Sequence, residues 1–308
     1  IASYRSAESP RDSRVISLLI NTQSSLLITD KFVYIHMPKT GGTFVTTVLE
    51  RLHSTDLTGH LALPLQPRLL SAIMRIIKQF HGISTQQYGH LLNLEPKHAT
   101  CNDIPDHHRH KLILSNVRNP YDWYVSQYEF GWWKRTFMYD PADTPTPVGY
   151  AIEQVLPEFV SQHVHFPNIT FREFLELCKK AEGVYNEKFD GDLGLYTYGF
   201  IQFFYKNTAS FVSRVDQNYL ISGRHLENAF NVHFLNTEHL NRDLYDFLAS
   251  QGYRTRDLDF IPKLGRVLPM SIGRTEDQKW EHYYDADLKD QIRETDWVLF
   301  SLFPEFDV

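Results

Sequence analysis

The sequence predicts an α/β protein with a central parallel sheet flanked by helices. Three observations predict it. Short β-rich apolar runs alternate with longer segments whose apolar residues recur at helical spacing, the order of repeated strand–helix units. The run 111–117 is apolar almost throughout, as a strand buried on both faces must be. The run 31–36 passes through a turn with two glycines straight into a helical pattern.

Residues 1–30 are polar with two short apolar runs and read as an N-terminal extension that wraps the domain edge. The first core strand is Lys31-Phe32-Val33-Tyr34-Ile35-His36, ending at Met37-Pro38. A helix follows from about Thr43, with Phe44, Val45, Val48, Leu49 and Leu52 on one face. A second helix opens at Pro67 with the stripe Leu69, Leu70, Ile73, Ile76, Ile77 and Phe80. After the strand 111–117, Asn119-Pro120 supplies an N-cap and a first-turn proline for a helix through about Lys134. Residues 136–169 carry Pro141, Pro145, Pro147, Pro157 and Pro167, which predicts an irregular insertion with at most one short helix, a lid or side wall. Thr170-Phe171-Arg172-Glu173 is a capping box, with Phe171, Phe174, Leu175 and Cys178 as the buried stripe behind it. Val232-His233-Phe234-Leu235 is a third strand, and its helix carries Leu240, Leu244, Phe247 and Leu248 and stops at Gly252. The last helix starts near Asp285 and carries Leu288, Ile292 and Leu299. With no internal repeat or linker, residues 1–308 read as a single domain.

Composition narrows the class. A 308-residue chain buries roughly three-quarters of its unfolded surface and needs no disulfide or metal staple. Hydrophobic residues at 42% and charged ones at 22% exclude a disordered or collagen-like chain. Lys and Arg number 31 against 37 Asp and Glu, so the net charge of −6 argues against bulk binding to nucleic acid or polyanionic glycans. Two cysteines, Cys101 and Cys178, are too few for a disulfide framework. No apolar run reaches the roughly 18 residues of a membrane span. These features lead to the expectation of a bacterial cytoplasmic protein. Asn168-Ile169-Thr170 is a glycosylation sequon. Asp106-His107-His108-Arg109-His110 reads as a solvated turn rather than a metal site, because zinc spacings with paired cysteines are absent. The aromatics Trp132-Trp133, and those between Tyr196 and Tyr205, read as core or as a pocket wall.

The most informative stretch is Tyr34-Ile35-His36-Met37-Pro38-Lys39-Thr40-Gly41-Gly42-Thr43-Phe44. A strand, a lysine, two glycines and a helix N-terminus in that order suit an anion: the backbone N–H groups and the helix dipole favour negative charge. Gly41 and Gly42 let the backbone approach a ligand, while Lys39, Thr40 and Thr43 add charge and donors. The lysine precedes the glycines, so this is not the Gly-Lys-Ser/Thr loop of Walker type.

Pro38-Lys39-Thr40-Gly41-Gly42-Thr43 resembles the 5′-phosphosulfate loop of sulfotransferases that use 3′-phosphoadenosine 5′-phosphosulfate (PAPS), above all the Golgi-type carbohydrate sulfotransferases and their bacterial relatives. Val117-Arg118-Asn119-Pro120-Tyr121-Asp122-Trp123-Tyr124-Val125-Ser126 is similar to the 3′-phosphate element of that family, an arginine at a strand end and a serine eight residues on. Phe234-Leu235-Asn236-Thr237-Glu238-His239-Leu240 resembles the family's late strand and helix entry, and residues 268–275 stand where its members place a loop over the nucleotide.

The resemblance implies a P-loop-like sulfotransferase fold, and a Golgi-lumenal location as the alternative if an anchor preceded Ile1. It also implies transfer of a sulfuryl group from PAPS to a hydroxyl, or less readily an amine, with release of adenosine 3′,5′-bisphosphate (PAP) and no metal. The implied cofactor-binding residues are Lys39, Thr40, Gly41, Gly42, Thr43, Phe44, Arg118, Ser126, Ser271 and Arg274. Lys39 would stabilise the leaving phosphate, and Lys97-His98-Ala99-Thr100 resembles the segment that supplies a catalytic histidine, which makes His98 the candidate base with Glu95 and His36 as alternatives. The acceptor is expected to be a small molecule, a lipid or a saccharide, with no nucleic acid partner, and the oligomeric state stays open. Two rivals remain: a nucleotide-dependent kinase of related fold, and a non-catalytic nucleotide-binding protein.

Overall fold

The computed structural model describes residues 26–55, 88–94, 99–134, 146–265 and 274–308. The helix expected at Pro67, the start of the N-terminal extension and residues 136–145 of the insertion lie outside them.

The strands are β1 (Leu26–Ile28), β2 (Phe32–Ile35), β3 (Ser54–Thr55), β4 (His90–Leu94), β5 (Leu112–Val117) and β6 (Val232–Asn236). They form one six-stranded sheet in the order β3-β4-β1-β2-β5-β6. The pairs β2–β5, β5–β6 and β3–β4 are parallel, but β1 is antiparallel to both β2 and β4. The sheet is therefore mixed, not parallel as expected, with β1 running against all the others. The end of the supposed extension is this strand. Leu26, Leu27 and Ile28 are buried in mid-sheet, where the chain turns back on itself through Thr29. The Thr29 hydroxyl donates to Phe32 O at 2.8 Å, and the Thr29 N–H donates to the same carbonyl at 3.0 Å. That hairpin reverses the direction of a three-residue strand too short to show a period.

Helices cover both faces. On β2, Phe32 and Tyr34 join one apolar cluster, whereas Val33 and Ile35 join the other. The first cluster packs α1 (Gly42–Leu52), α8 (Leu240–Ser250) and α9 (Thr255–Leu258). The second packs α2 (Pro120–Phe130), α3 (Pro147–Gln162), α4 (Phe171–Phe189), α5 (Leu195–Phe204), α10 (Ala286–Thr295) and α11 (Trp297–Leu302). Two short helices, α6 (Thr208–Val212) and α7 (Gln217–Ile221), lie between α5 and β6 in the chain. The capping box of α4 is present, with Thr170 N–H donating to Glu173 Oε2 at 2.6 Å. Gly252, at φ 76°, follows α8 as expected, and the next N–H, that of Tyr253, bonds back to Leu248 O at 3.1 Å.

Three boundaries differ from expectation. The insertion contains a 16-residue helix, α3, because Pro147 occupies its first turn behind the Thr146 cap and Pro157 is carried inside it. Burial of Ala151, Ile152, Leu156 and Phe159 offsets the bond that Pro157 cannot make. Helix α2 stops at Phe130, where Gly131 adopts φ 62°. The last helix splits into α10 and α11 at Asp296, a buried residue. Both cysteines are free and buried. Among the described residues, no helix is long and apolar enough to cross a membrane.

Candidate anion site at the strand ends

Strands β2, β4, β5 and β6 point the same way, so their C-terminal ends meet one edge of the sheet. That edge is where open α/β sheets place ligands. The loop 36–41 leaves β2 there, Arg118 and Asn119 leave β5, and Thr237 leaves β6. β4 ends level with β2, since Leu26 pairs with both Ile35 and Leu94. Glu95 and His98 follow β4 but lie outside the described residues.

The loop is built so that its carbonyls face the protein. Met37 O accepts from the Thr40 hydroxyl at 2.8 Å, and Pro38 O from Trp123 Nε1 at 3.3 Å. Lys39 O accepts from Arg118 Nη1 at 2.8 Å, and Gly41 O from the Phe44 N–H at 3.0 Å. The Thr237 hydroxyl lies 2.9 Å from Thr40 O and 2.8 Å from Val117 O, pinning the loop to the end of β5. In a planar trans peptide the next N–H points opposite each carbonyl. The N–H groups of Lys39, Thr40, Gly41 and Gly42 are thereby turned away from these ties, and none has an acceptor among the described residues. A run of outward amides at a helix start is an anion-binding concavity.

The backbone conformation that achieves this is unusual. Lys39 takes φ 67° and Gly41 φ 90°, left-handed values that a lysine rarely adopts. A Cβ at Gly41 would come 2.7 Å from Leu240 Cδ2, and one at Gly42 would fall 1.9 Å from Cδ2 of the His36 ring. Gly42→Ala is expected to force the ring out of place at a cost of about 1–3 kcal/mol. A melting temperature several degrees lower, with weakened anion binding by calorimetry, is the outcome to check.

Cations surround the concavity. Lys39 Nζ sits 3.6 Å from the centroid of the Phe130 ring. Burial, and then the neighbouring Arg118 and Arg274, bring its pKa down to about 7. Arg118 is tied to Asp122 Oδ2 through Nε at 2.7 Å and Nη2 at 2.6 Å, and Arg274 Nη2 lies 2.5 Å from Asp122 Oδ1. Burial alone would push the Asp122 carboxyl up, but the two guanidiniums hold it below its ordinary value. Arg274 Nη1 is buried without a partner among the described residues. Ser126 is buried one helical turn beyond Asp122 on the same face of α2.

Of the residues singled out from the sequence, Lys39, Gly41, Gly42, Arg118, Ser126 and Arg274 come together here. Thr43 sits in the first turn of α1. Thr40 is wholly buried, and its hydroxyl is spent on Met37 O instead of facing outward. The Phe44 side chain packs in the α1 core cluster and its N–H is used on Gly41 O, so neither is left for a ligand. Ser271 lies outside the described residues. The His36 ring lies against the first residue of α1.

Residues outside the implied cofactor-binding set also take part. Trp123 stacks on Tyr196 with centroids 4.4 Å apart and planes 5° from parallel. The Tyr196 hydroxyl accepts from Arg118 N–H at 3.1 Å and donates to Arg118 O at 3.2 Å. This stacked pair joins the β2 loop, through Pro38 O, to the end of β5. Asp122, Trp123 and Thr237 stood inside the quoted motifs and were readable there; Tyr196 carried no local signal. The segment 106–110 is a short turn with Asp106–His108 in a 3₁₀ helix, none of it buried. Among the described residues, no group of three His, Cys, Asp or Glu side chains is placed to hold a metal ion. Compared with protein-family models, with curated proteins and with solved structures, the chain has no match in any of the three.

Proposed function

We propose that this protein is a PAPS-dependent sulfotransferase, with the β2–α1 loop holding the 5′-phosphosulfate. One observation carries the reading. Loop carbonyls from Met37 to Gly41 are tied inward, leaving a row of amides beside Lys39, Arg118 and Arg274. Such a site suits a ligand with more than one phosphate or sulfate group. The preference for sulfuryl over phosphoryl transfer rests on the order of the motif, lysine before glycines, and on the Arg118–Ser126 spacing.

In the proposed reaction the acceptor oxygen attacks sulfur in line with the leaving oxygen. The sulfur–oxygen bond to the 5′-phosphate breaks and its electron pair stays on the phosphate. The acceptor proton passes to a base, for which His98, Glu95 and His36 remain the candidates. Protonated Lys39 and the loop amides stabilise the charge that gathers on the phosphate. The acceptor class is a small molecule, lipid or saccharide.

Thermal unfolding with PAP, with 5′-ADP, and with ATP plus magnesium tests the donor class. A ligand at 100 times its Kd adds about 2.7 kcal/mol, enough to raise Tm by several degrees. The expected result is a rise specific to PAP. A rise only with ATP and magnesium would favour a kinase, and no rise with any of them would leave the proposal without its substrate.

A further inference from the structure

We propose that Asp122 is a positioning residue of the anion site, gripping Arg118 and Arg274 so that Arg118 braces the loop and Arg274 keeps an open donor. The proposal rests on the reading that this site takes a phosphate-bearing ligand.

The argument starts from how the arginine forks are used. Arg118 gives Nε and Nη2 to Asp122 Oδ2, and Nη1 to Lys39 O. Most of its fork is therefore committed within the protein, and its main task is to hold the β2 loop against the end of β5. The other carboxylate oxygen takes Nη2 of Arg274, a residue 152 positions further along the chain. That contact leaves Arg274 Nη1 buried beside the site with no partner among the described residues. A guanidinium held by one nitrogen to a fixed carboxylate presents its other nitrogen in a defined direction.

Asp122 is itself well fixed. It lies in the first turn of α2, where the helix N-terminus favours a negative charge, and its side chain is only 16% exposed. The segment carrying Arg274 is also anchored to α2 beyond this contact. Tyr283 OH donates to Glu129 Oε1 at 2.7 Å, Gln278 bonds to the same carboxylate, and Tyr284 OH donates to Tyr121 O at 3.0 Å. Asp122, Ser126 and Glu129 fall at i, i+4 and i+7 on α2, so the segment is tied down on either side of Ser126.

A carboxylate in a cationic site has two opposed effects. As a charge it repels an incoming anion; as an acceptor it orients the donors that bind it. The two predict opposite signs for one substitution. If repulsion dominates, Asp122→Asn tightens anion binding. If positioning dominates, the same change weakens it although the site has become more positive.

Calorimetric titration of the full chain with PAP, and separately with inorganic pyrophosphate, reads the sign. The expected result is at least about tenfold weaker binding of both by Asp122→Asn, the scale on which losing one partner of a buried charge pair is felt. Arg274→Gln should weaken binding by a similar factor, and the double variant should be no weaker than the worse single, because the carboxylate acts through the arginine. Unchanged or tighter binding by Asp122→Asn, or fully additive losses, would overturn the proposal. Should the Asn variant not fold, Asp122→Glu keeps the charge and moves it outward by one methylene; a folded Glu variant with undiminished affinity is equally fatal. Pyrophosphate separates this proposal from the cofactor reading. If wild type binds pyrophosphate but not PAP, the nucleotide reading fails and the Asp122 effect is still measured; if it binds neither, both fall.

Discussion

Lys39→Ala is expected to lower the release of PAP from PAPS by about a hundred- to a thousandfold while leaving PAP binding measurable. The factor is that for removing one donor from a preorganised site where charge develops. The residual binding follows because the loop amides, Arg274 and the Arg118 brace do not depend on the lysine side chain. Protonation adds a second, independent readout. Burial and then the charges of Arg118 and Arg274 lower the Lys39 pKa from 10.5 to about 7, so the free site holds this lysine only partly charged near neutrality. An anion placed beside it favours the protonated form and raises that pKa. Binding should therefore take up a proton above pH 7, and affinity should fall as pH rises from 7 towards 9. Titrations at pH 6 and pH 9 check the trend, and Lys39→Ala should flatten it. An alanine variant with full turnover sinks the proposed role of the lysine.

The fold was partly legible because burial leaves a period in the sequence. Strands β2 and β5 were read correctly from apolar runs with residues for both faces, α1 from its stripe alone, and α4 and α8 from stripes with a cap or a stop. The failures share a cause. Leu26-Leu27-Ile28 is a central strand, but three residues are too few for a period and the direction of a strand is not written in its composition. Pro147 and Pro157 look like breakers when counted; one is a first-turn residue and the other sits exposed on a helix held by the burial of Ala151, Ile152, Leu156 and Phe159. Asp296 splits the last helix through tertiary hydrogen bonds to Tyr124 and Thr197, which no local window contains.

The site divides along the same line. Lys39, the glycines and Arg118 were visible because loop chemistry is local. What each polar group does there depends on partners distant in sequence. Thr40 reads as a ligand donor in the sequence, but its hydroxyl donates to Met37 O. Arg118 looked like an open fork until Asp122 and Lys39 O were found occupying most of it. Tyr196 fastens the same arginine's backbone from a helix 78 residues away, with nothing in its neighbourhood to mark it.

Stability is expected to fall as pH rises from 5.5 to 8.5, because two buried carboxyls sit beneath the site. Asp296 accepts from Tyr124 OH at 2.8 Å, from Thr197 N–H at 2.8 Å and from the Thr197 hydroxyl at 2.7 Å. Burial raises its pKa from 3.8 to about 6, against the pull of those donors. Glu182 is buried nearby, with Oε1 accepting from Leu195 N–H at 3.3 Å and only a distant Lys179 at 3.5 Å from Oε2. Burial, and then the charge of Asp296, raises Glu182 from 4.5 to about 8. Both folded values exceed the unfolded ones, so the native state holds these protons more tightly. Their contribution is complete below about pH 4 and is lost as pH climbs through 6 and then 8. Each pKa unit is worth about 1.4 kcal/mol, so losing even half of the Glu182 displacement costs about 2 kcal/mol. At roughly 2–4 °C per kcal/mol, Tm should drop by several degrees across this range. Lys39, whose folded pKa of about 7 lies below its unfolded value, gains stability above pH 7 and offsets part of this fall. Glu182→Gln keeps an uncharged acceptor for Leu195 and should make the fall markedly smaller while raising Tm at pH 8.5. Scanning calorimetry of both proteins at several pH values is the check, and a flat profile in wild type or an unchanged slope in the variant counts against it. The consequence reaches the site, since Tyr124 OH also accepts from Tyr196 N–H at 3.4 Å and Tyr196 holds the backbone of Arg118. Anion affinity measured alongside Tm should therefore decline at high pH even after the Lys39 contribution has been removed by substitution.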